Sequence, residues 1–212
     1  ERNGVKSYDV LTGFKFIADK IKELEGKETF IGGGEESYGF MIGDFVRDKD
    51  AVSTCAMIAE IASWAADNGK TFFDILVDLY CEYGFYKEDL LSITKKGKSG
   101  SEEIKQMMVN YRSNPPKEIA GSKVVMIKDY QLQKSQDLVS GKEESIDLPK
   151  SNVLQFFTAD GSKISVRPSG TEPKIKFYFG VKDLLSNASN FDNINAALDK
   201  KIEAIKQSLD LI

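Results

Sequence analysis

Two strand-like segments, Lys163 to Arg167 and Lys174 to Val181, are joined within the run Ser165-Val166-Arg167-Pro168-Ser169-Gly170-Thr171-Glu172-Pro173-Lys174, and this joint constrains the fold most. In the second segment Ile175, Phe177, Phe179 and Val181 alternate towards one face, the period of a half-buried strand. The joining loop carries groups that suit a phosphate. Arg167 offers a planar fork of donors to a dianion. Ser169 and Thr171 offer hydroxyls, and Gly170 lets backbone N–H groups come close to an anion. Two prolines stiffen the turn, which lowers the cost of ordering it around a ligand. Taken alone, the same residues also fit a tight β-connection with a solvated arginine.

A second run, Gly32-Gly33-Gly34-Glu35-Glu36-Ser37-Tyr38-Gly39, follows the short apolar stretch Thr29 to Ile31. Four glycines in eight positions imply backbone passing close to something, with φ above zero at several residues. Glu35 and Ser37 stand two apart, so extended backbone would point both to the same side. A carboxylate beside a hydroxyl can grip neighbouring hydroxyls of a sugar. The plainer reading is a glycine-rich turn with solvated glutamates.

Together with Leu11-Thr12-Gly13-Phe14-Lys15-Phe16-Ile17, these runs resemble the α-D-phosphohexomutases, the phosphoglucomutase and phosphomannomutase family. The Gly-Glu-Glu-Ser-Tyr-Gly run looks like the family's sugar-recognition loop, and Arg-Pro-Ser-Gly-Thr-Glu-Pro like its distal phosphate-binding loop. Gly13-Phe14-Lys15 resembles the segment that brings a lysine into the active-site cleft. The resemblance implies an isomerase that moves a phosphoryl group between the 6-oxygen and the 1-oxygen of glucose or mannose. An enzyme phosphoserine, a bisphosphorylated sugar and Mg²⁺ belong to that chemistry. It further implies Glu35 and Ser37 as the hydroxyl clamp, and Arg167, Ser169, Gly170 and Thr171 as the phosphate cradle. Lys15 would add positive charge near the sugar and phosphoryl oxygens; read without the resemblance, it is a surface lysine at a helix start. Closure of the last domain on the distal phosphate would exclude water, with a hinge expected near Gly84 to Asp89.

Two family loops have no counterpart in the sequence. One carries the phosphoserine beside a histidine and an asparagine; the other, Asp-x-Asp-x-Asp-Arg, holds Mg²⁺. The chain has no histidine and no Asp-x-Asp-x-Asp run. It opens at Glu1 without Met and enters a segment that reads as mid-domain. The expectation is a carboxy-terminal fragment, inactive alone and without metal ligands of its own. Mg²⁺ and hexose 1,6-bisphosphate would act in the full-length enzyme, and the partners would be a phosphohexose and the missing amino-terminal domains. A non-catalytic phosphosugar-binding module and an interaction domain are the two other readings.

The chain's 212 residues suffice for two ordinary domains. A net charge of −4, from 29 basic and 33 acidic residues, argues against nucleic acid as a partner. No apolar run approaches the roughly 20 residues that span a bilayer, so the expected place is the cytoplasm and no membrane is expected. Cys55 and Cys81 lie in apolar helical patterns and read as buried free thiols. Lys95, Lys96 and Lys98 form the densest basic stretch and read as a solvated loop.

The order of elements gives the fold class. Val5 to Leu11 reads as a strand, Lys15 to Glu25 as a helix stopped by Gly26, and Phe40 to Ile42 as a short strand. Asp50 caps a helix to about Asn68 with Cys55, Ile58, Ala59, Ala62 and Ala65 on one face, and Thr71 with Asp74 has capping-box spacing for a helix to Tyr83. These residues, 1–86, suit an α/β layer domain, incomplete at its start, matching the later part of the family's domain 3. Beyond it come a strand over Leu90 to Thr94, a helix capped by Ser101 and ended before Pro115 and Pro116, and a strand over Lys123 to Ile127. Gln131 to Lys150 is a polar loop with hairpin character. Asp160-Gly161 marks a tight hairpin between Val153 to Thr158 and Lys163 to Arg167, and Asp192 caps a last helix. Residues 87–212 thus predict an α+β domain, an antiparallel sheet covered by helices on one face. The family's domain 4 resembles the TATA-binding-protein fold.

Overall fold

The computed structural model describes residues 3–212; Glu1 and Arg2, the start of the expected first domain, lie outside that range. The chain divides into two compact units between Leu76 and Val77.

In the first unit, helix α1 (Phe14–Leu24) places Phe14, Ile17 and Ile21 on one stripe. Phe14 and Ile21 pack with Met41 to form a small core, with Ile17 and Phe30 against it. The glycine run is itself a strand, β1 (Gly32–Gly34), paired antiparallel with β2 (Phe40–Ile42) in the register Gly32↔Ile42 and Gly34↔Phe40. The pairing explains the glycines as close approach: a Cβ on Gly34 would stand 2.8 Å from the Phe40 ring, and one on Gly33 3.3 Å from Ile17. Val5 to Leu11, expected as a strand, has no regular structure, since no described strand pairs with it. Lys6 and Tyr8 instead hold Glu28, at 2.5 and 2.8 Å.

Helix α2 (Ala51–Asp67) starts where Asp50 accepts the N–H of Val52 at 3.0 Å, as a capping aspartate should. Its more buried stripe is Met57, Ile61 and Ala65, whereas Cys55, Ile58, Ala59 and Ala62 are exposed. A helix apolar all round gives periodicity no face to choose. Cys55 is therefore an exposed thiol and Cys81 a half-buried one, which corrects the expectation that both are buried. Helix α3 (Phe72–Tyr83) opens on a reciprocal box: Asp74 accepts from the N–H and hydroxyl of Thr71, and the Thr71 hydroxyl accepts the N–H of Asp74.

The second unit is built on one antiparallel sheet. Its strands are β3 (Phe85–Thr94), β4 (Glu118–Ile119), β5 (Ser122–Asp129), β6 (Lys134–Asp137), β7 (Glu143–Ser145), β8 (Leu154–Thr158), β9 (Lys163–Pro168) and β10 (Lys174–Asp183). Seven run in the order β3-β10-β9-β8-β5-β6-β7, with β4 paired to β5. Ile164, Val166, Ile175, Phe177, Phe179 and Val181 all point to one face and are essentially inaccessible. Helices α4 (Gly97–Ser113) and α5 (Phe191–Ser208) cover that face with Ile104, Met108, Leu198, Ile202 and Ile205. The last turns of α3 join them through Val77 and a stack of Tyr80 on Phe85 on Phe191, with centroids 4.3 and 5.1 Å apart. This is the expected antiparallel sheet with helices on one face.

Several boundaries differ from the sequence reading. Strand β3 begins at Phe85, so residues 85–89 are paired with β10 and, of the expected hinge, only Gly84 lies outside a regular element. Helix α4 begins at Gly97, four residues before Ser101. Its first turn packs so tightly on the incoming chain that a Cβ on Gly100 would meet the Lys95 backbone at 2.5 Å, which only glycine permits. Residues 131–150 do contain the hairpin that their sequence suggested, β6–β7. Helix α5 starts at Phe191 after a short 3₁₀ turn, leaving Asp192 as an acidic residue inside its first turn, not as the cap. Among the described residues no helix is long and apolar enough to cross a membrane.

Candidate functional site

In the second unit, the loop Ser169 to Pro173 connects β9 to β10. It is tied down at both ends. The N–H of Ser169 donates to the carbonyl of Lys174 at 2.7 Å, and the N–H of Lys95 to that of Pro173 at 2.9 Å. The Ser169 hydroxyl oxygen accepts the N–H groups of Thr171 and Glu172, at 3.3 and 3.2 Å, which folds the loop into a compact turn. Gly170 stands open. A Cβ there would meet nothing within 4 Å, and its backbone φ is not of the left-handed kind. Neither space nor conformation in the chain demands a glycine at that position.

Ser169, Gly170 and Thr171 line a cavity of about 520 Å³ whose other wall is α4, with Ser101, Ile104 and Lys105. Arg167 stands outside that lining. On β9, Ile164 and Val166 are buried under the helices, so Ser165 and Arg167 point to the opposite face of the sheet. On that face the register places Lys176 of β10 directly opposite Arg167, both half-buried. Neither enters an ion pair among the described residues. Sequence reading missed Lys176. The signal was the alternation of β10, which sends Lys176 to the face away from Ile175 and Phe177, once the pairing with β9 is known.

In the first unit, Glu35 to Gly39 joins β1 to β2. The N–H of Glu35 donates to the carbonyl of Gly39 at 2.9 Å, and that of Tyr38 to the carbonyl of Glu35 at 3.2 Å. This is a three-residue hairpin loop, a β-turn followed by one residue in the left-handed region. That residue is Tyr38, at φ 68°, with its side chain 99% exposed. Glu35 and Ser37 are thus in a turn rather than on extended backbone. The Glu35 side chain curls over Gly39, where a Cβ would stand 2.9 Å from its Oε1, while Ser37 lies out in solvent. Their shared sidedness on extended backbone is corrected accordingly.

Lys15 is exposed in the first turn of α1, its Nζ 4.8 Å from the centroid of Phe16. Another cation is linked to the clamp loop through the Phe14 ring. Lys49 Nζ lies 5.6 Å from the centroid of Phe14, and the Phe14 ring lies against Gly39, 3.1 Å from where a Cβ would be. Lys49 comes from the segment before α2, which no motif had marked.

Family models match both parts of the chain. The phosphoglucomutase/phosphomannomutase alpha/beta/alpha domain III matches residues 1–83, and the C-terminal domain of the same family matches residues 108–197. The chain belongs to the phosphoglucomutase/phosphomannomutase family.

Relatives agree with the assignment. A phosphoglucomutase of Staphylococcus aureus (strain MRSA252) is 42% identical over 200 residues, which is 94% of this chain and 35% of the relative. A phosphoglucomutase of Staphylococcus haemolyticus (strain JCSC1435) is 38% identical over 195 residues, 92% of this chain and 34% of the relative. The chain therefore spans about a third of the length of these relatives. The crystal structure of the exocytosis-sensitive phosphoprotein parafusin, a phosphoglucomutase from Paramecium in its open form, shares the fold at a TM-score of 0.56 and 16% identity. It covers 96% of this chain and 35% of that one. The described residues hold no group of three or more His, Cys, Asp or Glu that could bind the Mg²⁺ implied by family resemblance.

Proposed function

We propose that this chain is the phosphate- and sugar-holding part of a phosphohexomutase, whose longer protein interconverts the 1- and 6-phosphates of glucose or mannose. The residues 1–86 and 87–212 are then its third and fourth domains. The observation that carries this reading is the pair Arg167 and Lys176, two cations opposed on β9 and β10 without an ion pair among the described residues, on the strands joined by a loop with an open glycine. Like charges at directly opposed positions disfavour the sheet, and an anionic ligand would offset that repulsion. A dianionic phosphate does so, taking the guanidinium fork of Arg167, the ammonium of Lys176, the hydroxyls of Ser169 and Thr171, and the N–H of Gly170.

In the first unit, Glu35 and Ser37 accept and donate to sugar hydroxyls, and Lys15 and Lys49 supply positive charge to that loop. The phosphoserine, the Mg²⁺ and the turnover through hexose 1,6-bisphosphate are assigned to other parts of the longer protein. Half-exposed Trp64, Phe72 and Phe73 on α2 and α3 are apolar surface for those parts to cover. The cytoplasm is the proposed location. Titration of this chain with inorganic phosphate tests the central assignment: Arg167→Ala should weaken binding at least tenfold, and an unchanged dissociation constant would overturn it.

A further inference from the structure

The densest basic stretch of the sequence, Lys95-Lys96-Gly97-Lys98, leads from β3 into α4. Two observations set it against the loop Ser169 to Pro173. The N–H of Lys95 donates to the carbonyl of Pro173 at 2.9 Å. Gly97 and Ser101 line the same cavity as Ser169 to Pro173. The segment is also fixed from behind, because Gly100 packs directly on the Lys95 backbone. It is not a free solvated loop.

Its charge is only partly balanced. Lys95 pairs with Glu103 at 3.2 Å, and the nearby Glu102 is taken up by Lys105 at 2.8 Å. Lys96 and Lys98 are exposed and enter no ion pair among the described residues. On a chain of net charge −4, two such lysines flanking Gly97, which shares a cavity with Ser169 to Pro173, concentrate positive potential beside that loop.

We infer that Lys96 and Lys98 form an electrostatic lip that draws phosphorylated sugars onto the Arg167 loop and favours doubly over singly phosphorylated hexose. The inference rests on the phosphate assignment above. The segment that carries the lip is bonded to the loop through the neighbouring Lys95 and shares its cavity through Gly97, and at low salt, where the screening length exceeds about 10 Å, its field extends over a ligand seated there. The attraction grows with ligand charge, and a bisphosphate carries twice the phosphate charge of a monophosphate.

The test is the variant Lys96→Gln/Lys98→Gln of this chain, titrated with glucose 1-phosphate and glucose 1,6-bisphosphate at low and at high salt. At low salt the dissociation constant for the bisphosphate should rise about three- to tenfold, and that for the monophosphate by less. At high salt both differences should shrink towards none. The melting temperature should not move, and Lys96→Arg/Lys98→Arg should behave as the parent chain. Arg167→Ala is measured alongside. If Arg167→Ala weakens binding while the lysine pair leaves both affinities and their salt dependence untouched, the lip is overturned and the phosphate loop stands. If Arg167→Ala changes nothing, the phosphate assignment itself fails and the lip falls with it.

Discussion

Arg167 and Lys176 stand directly opposite each other on β9 and β10, on the sheet face away from the helices. Like charges at opposed strand positions destabilise a sheet by roughly 0.2–1 kcal/mol. Removing one should therefore raise the stability of the free chain slightly while weakening phosphate binding. For Arg167→Ala the expected loss is about 1.5–3 kcal/mol of a charge-assisted contact, ten- to a hundredfold in affinity. Arg167→Lys keeps the charge but not the fork and should recover only part of it. Lys176→Gln should show the same opposite movement of melting temperature and affinity. Thermal melts with and without phosphate, together with calorimetry, check both signs.

Gly170 separates ligand chemistry from folding. Since an added Cβ meets nothing within 4 Å and no left-handed φ is required, Gly170→Ala should leave stability within about 0.5 kcal/mol of the parent. A methyl group over the exposed N–H should still obstruct an anion, so phosphate affinity should fall. Equal affinities in the two chains would show that no ligand approaches this backbone.

The chain uses one hairpin design twice. In Thr158 to Ser162 the N–H of Gly161 donates to the carbonyl of Thr158 and that of Thr158 to the carbonyl of Ser162, the pattern also seen over Glu35 to Gly39. The left-handed position holds Gly161 at φ 81° in one loop and Tyr38 at φ 68° in the other. A β-carbon in that conformation costs roughly 1–2 kcal/mol, so Tyr38→Gly should stabilise the chain by a comparable amount. A denaturant melt in which Tyr38→Gly unfolds earlier than the parent would contradict this.

Glu35→Gln divides sugar recognition from phosphate recognition. The carboxylate rests against Gly39 in the first unit, whereas Arg167 and Lys176 belong to the second. Affinity for glucose 1-phosphate should fall about tenfold through the lost charged acceptor, with inorganic phosphate binding unchanged. An equal loss for both ligands would assign Glu35 to holding the fold.

What could be read from the sequence follows physical range. Period-two alternation in β10 and the Asp160-Gly161 turn are local, and both elements came out as expected. The caps at Asp50 and Thr71 are equally local, and their hydrogen bonds are present. Strand β1 was hidden because glycines read as turn until a partner, here Phe40 to Ile42, is known. The start of helix α4 is not legible because Gly97 and Gly100 look like breakers, whereas Gly97 supplies a left-handed φ of 75° and Gly100 a close approach to the Lys95 backbone. In the candidate site, Arg167 and Glu35 could be picked out from their motifs. Lys176 and Lys49 could not, since register in one case and the Phe14 ring in the other bring them to the loops.

Asp160 makes the second unit's stability depend on acid. Its carboxylate accepts from the hydroxyls of Thr158 and Ser162, at 2.5 and 2.9 Å, and from the N–H of Ser162, and it pairs with Lys201 of α5 at 2.8 Å. Partial burial works against ionisation, but Lys201, Thr158 and Ser162 outweigh it and hold the carboxyl well below the usual carboxylate range. A depressed folded-state pKa means that the ionised form is bound more tightly by the folded chain than by the unfolded one. Its stabilisation is therefore complete above the unfolded value of about 3.9 and is lost as pH falls below it. Asp160→Asn should lower the melting temperature at pH 7 and flatten its fall between about pH 4 and pH 2, where the parent chain loses this contribution. Melting curves across that range decide the matter: parallel acid profiles for the two chains would mean that other carboxylates carry the acid sensitivity and that the Asp160–Lys201 tie between the β8–β9 hairpin and α5 contributes little.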